Sequence, residues 1–230
     1  MPGERARRIA AELSGGRGTR SSARLCQVCM DVVGMTGAGI MLMSGDVPQG
    51  SVCTTNDVSA LIEDLQYTLG QGPCVDAFRG DRAVLEPDLA DPVTPRWTAF
   101  SVPAVEAGVR AVFGFPLRVG TVRLGALNLY RDQPGSLSDD QHADALVMAE
   151  VAAGWVLDMQ ADAPPGTLAR EVERGADFHF VVQNAAGMVS VQLDVSVTEA
   201  LIRLRAYAFS HDRLLGDVAR DVVARTLRLD

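Results

Sequence analysis

The apolar positions along the chain divide it into a strand-bearing first two thirds and a purely helical remainder. Arg5 to Leu13 has helical spacing, and the glycine-rich run Ser14–Thr19 after it has none. Ser21 to Val33 reads as a helix with Leu25, Cys29 and Val32 on one face. Gly37–Gly39 interrupts it, and Ile40–Met43 and Ser51–Thr55 then read as strands. Asp57 is the expected cap of a helix through Leu69, with Leu61, Leu65 and Leu69 in phase. Gly70, Gly72 and Pro73 predict a tight loop, followed by a short helix around Val75–Phe78. Ala83–Glu86 reads as a short strand, and Asp88–Pro95 as an irregular loop. Arg96–Ala107 reads as a helix that Pro103 is expected to kink or split.

The clearest β signal lies in Ala111–Leu117 and Val122–Tyr130, two β-branched and aromatic runs about a turn at Gly120. Ser138 opens a long helix from Asp139 to about Gln160. Because the strands are mostly hairpin-linked, residues 21–160 are expected to form an α+β domain on an antiparallel sheet with flanking helices. Residues 1–20 are expected to be a flexible Arg- and Gly-rich N-terminus, and 161–166, containing Asp162-Ala-Pro-Pro-Gly166, a linker.

Residues 167–230 show no comparable strand signal and predict an all-α domain of three helices: Leu168–Leu193, Thr198–Phe209 and Leu214–Leu227. Ser196 and Glu199 predict a reciprocal capping box for the second. In the third, Val218, Val222 and Leu229 share a face, with Ala219 and Val223 beside it. A core of about 60 residues is marginal alone, and a dimer would help it.

Composition narrows the chemistry. The chain has 230 residues, 47% apolar and 22% charged, ordinary for a globular protein. All 21 cationic residues are arginine. Without lysine there is no Walker A phosphate loop, no Schiff-base chemistry and no receiver domain of the usual form. The apolar stretches are short of a membrane span and the N-terminus has no signal-peptide core, so a cytoplasmic protein is expected. Net charge is uneven. Residues 1–24 hold six arginines against two acids, 25–165 seven against 18, and 166–230 eight against nine. The middle segment would repel nucleic acid and the C-terminal one would not, which suggests domains with different partners.

No catalytic constellation emerges, so no enzymatic activity is expected. Glu63-Asp64 and Asp139-Asp140 read as helix capping and solvated faces. His142, His179 and His211 are scattered. Cys26-x-x-Cys29 lacks the remaining ligands of a zinc site, and four cysteines do not suggest a disulfide framework, so core packing is expected. Cys74 follows Gly-Pro at a helix start, where the dipole can lower a thiol pKa; it is the ligand-pocket or redox candidate, with packing as the plainer reading.

Several motifs in order resemble a known family. Leu65-Gln-Tyr-Thr-Leu-Gly-Gln-Gly-Pro-Cys-Val-Asp-Ala-Phe78, Glu86-Pro-Asp-Leu89, Arg96-Trp-Thr-Ala-Phe100 and Leu124-Gly-Ala-Leu-Asn-Leu-Tyr-Arg131 resemble the GAF domains of actinobacterial GAF–ANTAR regulators. Ala185-Ala-Gly-Met-Val189, Val191-Gln-Leu193, Glu199-Ala-Leu201, Arg203-Leu-Arg-Ala-Tyr-Ala208 and Val218-Ala-Arg-Asp-Val222 resemble their ANTAR domains. The resemblance covers about residues 25–229 and implies transcription antitermination. It assigns 21–160 to a GAF sensor and 167–230 to a three-helix ANTAR module that binds nascent RNA carrying two stem-loops. A small molecule in the GAF pocket is the implied signal, with no resident cofactor. The chain departs from the family at Gln71, where Glu is usual, and at Asn184, where Gln is common. Asn184 is one methylene shorter, which would weaken any contact made through that amide.

The RNA-binding candidates are Asn184, Ala185, Gly187, Arg203, Arg205, Tyr207 and Arg213. Unpaired RNA is recognised by stacking on aromatic or guanidinium planes, by base-edge hydrogen bonds and by phosphate contacts. Arg203 and Arg205 are two apart and point to different faces, both expected outside the core; Tyr207 offers a ring, Gly187 a close backbone approach, and Arg213 a loop cation. Each arginine could equally lie on a solvated face or pair with Glu199 or Asp217, and Ala185 and Gly187 could serve helix packing. Helices 138–160 and 168–193 are expected to form a stalk that makes a homodimer, since two RNA loops call for two modules. Two other readings stay open: a ligand-binding or protein-interaction module whose C-terminal helices only dimerise, and a DNA-binding regulator.

Overall fold

The hairpin at 111–130 is the centre of a five-stranded antiparallel sheet. In the computed structural model its strands are β1 (Gly37–Ser44), β2 (Val47–Thr54), β3 (Val84–Glu86), β4 (Ala111–Val119) and β5 (Val122–Arg131), in the order β2-β1-β5-β4-β3. The structure describes residues 2–14, 21–44, 47–93, 95–161, 177–211 and 213–229. Contacts divide the chain into two units, Met1–Val172 and Glu173–Asp230.

Strands β4 and β5 are apolar at almost every central position because both faces of the sheet are covered. Phe113, Phe115, Leu127, Leu129 and Ile40 face one side, against α1 (Pro2–Ser14), α2 (Ser22–Val33) and α6 (Asp139–Ala161). Val112, Ala126 and Tyr130 face the other, against α3 (Asp57–Leu69), α4 (Pro73–Gly80) and α5 (Thr98–Glu106). Pro103 lies inside α5 without splitting it, forgoing only the one bond its own amide would have made to the preceding turn; α5 itself begins at Thr98.

In the first unit, three further expectations change. The N-terminus is not flexible over residues 2–14: Ile9 is buried in the core, Arg5 binds Asp140 and Asp144, and Arg8 binds Asp144. The cap of α3 is Asn56, not Asp57. Its Oδ1 accepts from the Ser59 amide at 2.9 Å and from the Tyr130 hydroxyl at 2.8 Å, while the Ser59 hydroxyl accepts in return from the Asn56 amide. The buried side of α3 is Ser59, Ile62, Glu63, Gln66 and Tyr67, whereas Leu61, Leu65 and Leu69 are only half-buried.

The second unit consists of α7 (Asp177–Leu193), α8 (Val197–Ser210) and α9 (Leu215–Val223). Val182, Ala185, Ala186, Val189, Leu201, Leu204, Val218 and Val222 are among its buried side chains. Small residues on α7 let the helices approach closely. The Ser196 side chain caps α8 by accepting from the Glu199 amide at 3.1 Å, but the Glu199 carboxylate bonds Arg203 instead of closing a capping box. Helix α9 ends at Val223, four residues short of expectation. There the Thr226 hydroxyl donates to the Asp221 carbonyl at 3.0 Å and Arg225 turns left-handed, φ 62°. Leu229 therefore reaches the core from the tail, and Val223 is exposed. The expected linker from Asp162, the helix start at Leu168 and a stalk across them lie outside the described residues. Among the described residues no single helix is long and apolar enough to cross a membrane.

Candidate functional site

A polar cluster lies inside the first unit, between α3, α4 and the middle of the sheet. Asn128 on β5 pairs across the sheet with Gly39 on β1 and Gly114 on β4. Both glycines make room for the covering helices. A Cβ at Gly39 would stand 2.6 Å from Glu63 Oε1, and one at Gly114 would stand 2.5 Å from the Pro73 carbonyl oxygen. Glu63 and Gln66, one helical turn apart on α3, thus fill the space over the bare strands.

The cluster is incompletely hydrogen-bonded. The Cys74 amide donates to Gln66 Oε1 at 2.7 Å. Both Glu63 carboxyl oxygens, Gln66 Nε2 and Asn128 Oδ1 lack hydrogen-bond partners in good geometry, although all are buried. Burial pushes the Glu63 pKa up to about 8; Asn128 opposes this and the neighbouring Asp64 adds to it. Asp64 is itself raised to about 6 by burial. Glu63 is therefore a neutral carboxylic acid at pH 7, able to offer one proton to an adjacent acceptor. The reading of Glu63-Asp64 as a solvated pair is wrong for this reason.

Cys74 sits at the start of α4, as expected, but is fully buried. Desolvation, and secondarily Glu63, hold its thiol well above the ordinary range; the Gln66 side chain opposes this without reversing it. The helix dipole does not yield a thiolate, so packing describes Cys74 better than redox reactivity. Cys26 departs from the packing expectation more sharply. It forms a disulfide with Cys53, tying α2 to edge strand β2, while Cys29 is a buried free thiol raised to about 12 by desolvation. Among the described residues no three His, Cys, Asp or Glu side chains converge as a metal site would require.

Three of the sequence motifs meet in one network. Trp97 Nε1 donates to Asp76 Oδ2 at 2.8 Å, the Arg96 guanidinium covers the Trp97 ring at 4.5 Å, and Arg96 pairs with buried Glu86 at 3.6 Å. Trp97 takes a left-handed conformation, φ 51°, to make this turn. The network fixes α4, β3 and the start of α5 around the polar cluster.

In the second unit the seven expected RNA contacts separate. Asn184 and Gly187 line a cleft of about 770 Å³ between α7 and the segment from Val222 onward. Ala185 is wholly buried and packs the core. Arg203 is exposed and pairs with Glu199 at 3.2 Å. Arg205 is half-buried, with some of its guanidinium atoms closed off from solvent. Tyr207 is already stacked on His211, with centroids 3.9 Å apart, and Arg213 bonds Asp221 at 2.7 Å. The cleft also brings in Gln183, Arg225 and Arg228, which the motifs did not include. No local signal marked them, since the sequence reads as helix through Leu227 and only the folded chain ends α9 at Val223.

The GAF domain family model matches residues 22–154. The GAF domain of a phosphoenolpyruvate-protein phosphotransferase from Coxiella burnetii superposes with a TM-score of 0.51 at 10% identity, covering 70% of this chain and 95% of that one. A domain of a putative two-component sensor histidine kinase protein from Sinorhizobium meliloti 1021 gives a TM-score of 0.48 at 16% identity, covering 60% and 90%. No curated protein matches the chain.

Proposed function

The chain belongs to the GAF domain family, and from that premise we propose that it is a regulator in which the GAF unit, a signal-sensing module, controls RNA binding by the C-terminal three helices. In this reading the second unit is an ANTAR module acting on two-stem-loop nascent RNA in transcription antitermination. What supports it is the outward face of α7: Ala185 and Ala186 turn into the core while Asn184 and Gly187 face the cleft, so the motif that carries the resemblance has an accessible polar side.

The reading makes the protein a cytoplasmic homodimer through helices 138–160 and 168–193, with no catalytic role and a small molecule as its signal. Binding of the full chain to a two-loop RNA, a single-loop RNA and duplex DNA at one salt concentration tests it. Preference for the two-loop RNA is expected; equal binding to all three overturns it.

A second reading, in which the C-terminal helices only assemble the protein, draws on α8. Ile202 and Phe209 are 52% and 67% exposed on the side away from the core, the sort of apolar face that partner subunits cover. Dimerisation without affinity for any RNA would favour it.

A further inference from the structure

Apart from half-buried Arg205, the described arginines of the second unit are of two kinds. Arg203, Arg213 and Arg220 are each bonded to an acid, Glu199, Asp221 and Asp217 respectively. Arg225 and Arg228 are exposed, make no ion pair with a described residue, and both line the cleft. Their placement is built into the fold. Gln192 Nε2 donates to the Leu229 carbonyl at 2.7 Å, and the Leu229 side chain is buried, which pins the tail along α7. The left-handed turn at Arg225, closed by its amide to the Val222 carbonyl at 3.0 Å, directs the chain across the cleft mouth.

The remaining walls have complementary chemistry. Gln183 and Asn184 present amides that bond no described residue, and Met188, Val191 and Leu227 supply apolar surface. Nothing lies within 4 Å of where a Gly187 side chain would begin. A cleft of about 770 Å³ falls within the size range of small-molecule sites, about 300–1,000 Å³. An apolar surface suits a base plane, side-chain amides suit its edge, and two guanidinium groups with no acid partner among the described residues suit the phosphates on either side.

Resting on the RNA reading above, we propose that this cleft seats one unpaired nucleotide of an RNA loop, with Arg225 and Arg228 on its phosphates and Gln183 and Asn184 on its base edge. An acidic peptide would satisfy the arginines but leave the amides and the apolar wall without matching groups.

The test uses the full chain, a two-stem-loop RNA with randomised loops, and the same RNA with abasic loops. Two variants are compared with wild type: Arg225→Gln with Arg228→Gln, and Gly187→Leu, which fills the cleft from an open helix position. Circular dichroism establishes that each is folded, and either folded variant suffices. Expected results are at least a tenfold loss for the abasic RNA on wild type, and at least a tenfold loss for each variant on the intact RNA. The double arginine variant should also show a salt slope shallower by about 1–2. If wild type binds the intact RNA and both variants bind equally well, the cleft assignment falls while the RNA reading stands. Equal binding of intact and abasic RNA by wild type also overturns the assignment. If wild type binds duplex DNA as well as it binds RNA, or binds no RNA, the RNA reading itself falls.

Discussion

Glu63 occupies the space that a side chain at Gly39 would need: a Cβ there would lie 2.6 Å from its Oε1 and 2.8 Å from its Cγ. A bare strand position and a buried acid are thus one feature. The glycine lets α3 approach the sheet, and the approach strips water from the carboxyl group.

Gly39→Ala is expected to destabilise the first unit by about 1–3 kcal/mol, because the added methyl must displace Glu63 from a closed site. Urea unfolding of the variant checks this. A change below about 0.5 kcal/mol would show that α3 yields freely.

Glu63 makes stability fall as pH rises. Its pKa is raised on folding from 4.5 to about 8, so the native state holds a proton that the unfolded chain releases. The stabilisation from binding this proton is complete below pH 4.5, declines as pH rises toward 8, and is gone above it. Over the whole window that is of order 5 kcal/mol, at 1.36 kcal/mol per unit. Asp64, raised to about 6, acts in the same direction. Denaturation of wild type and Glu63→Gln from pH 5 to 9 should give curves that diverge upward in pH, with the variant gaining relative stability. Parallel curves would mean that Glu63 is not protonated in the fold.

The Cys26–Cys53 bond, spanning 27 residues, restricts the unfolded chain. Chain-entropy reasoning gives about 3–4 kcal/mol for a loop of that size. A reductant should lower the midpoint of wild-type unfolding and leave a Cys26→Ala, Cys53→Ala variant unmoved. Mass spectrometry after alkylation should find Cys29 and Cys74 protected in the native protein, since both thiols are buried and raised.

Ala185 and Asn184, neighbours on α7, should respond very differently to substitution. Ala185→Leu forces a larger group into the closed core of the three helices and should cost about 1–3 kcal/mol. Asn184→Ala, on an exposed position, should change stability by less than about 0.5 kcal/mol. Thermal melts monitored by circular dichroism distinguish them. Equal, small effects would mean that Ala185 does not pack.

The β4–β5 hairpin, α6 and the three C-terminal helices are legible in the sequence because each has a strong local pattern: β-branched alternation about Gly120, or a long apolar period after a cap. The polar cluster is not. On α3 the leucines at 61, 65 and 69 mark an apolar stripe, yet the residues facing the sheet are Ile62, Glu63, Gln66 and Tyr67. Nothing local on the helix says that glycines lie opposite. The pairing of Cys26 with Cys53 likewise depends on β2 folding back beside α2, and the cleft depends on where α9 stops.

By itself the sequence determined the element types, the resemblance to a GAF domain and the lysine-free cation set, since these follow from residue identity and short-range spacing. Tertiary structure decided which polar groups are buried, which arginines are neutralised and which thiols are bonded. Those properties depend on water exclusion and on distances between residues far apart in the chain. The same Glu that reads as a solvated acid in sequence becomes a neutral one only when α3 packs over Gly39 and water is shut away from its carboxyl group.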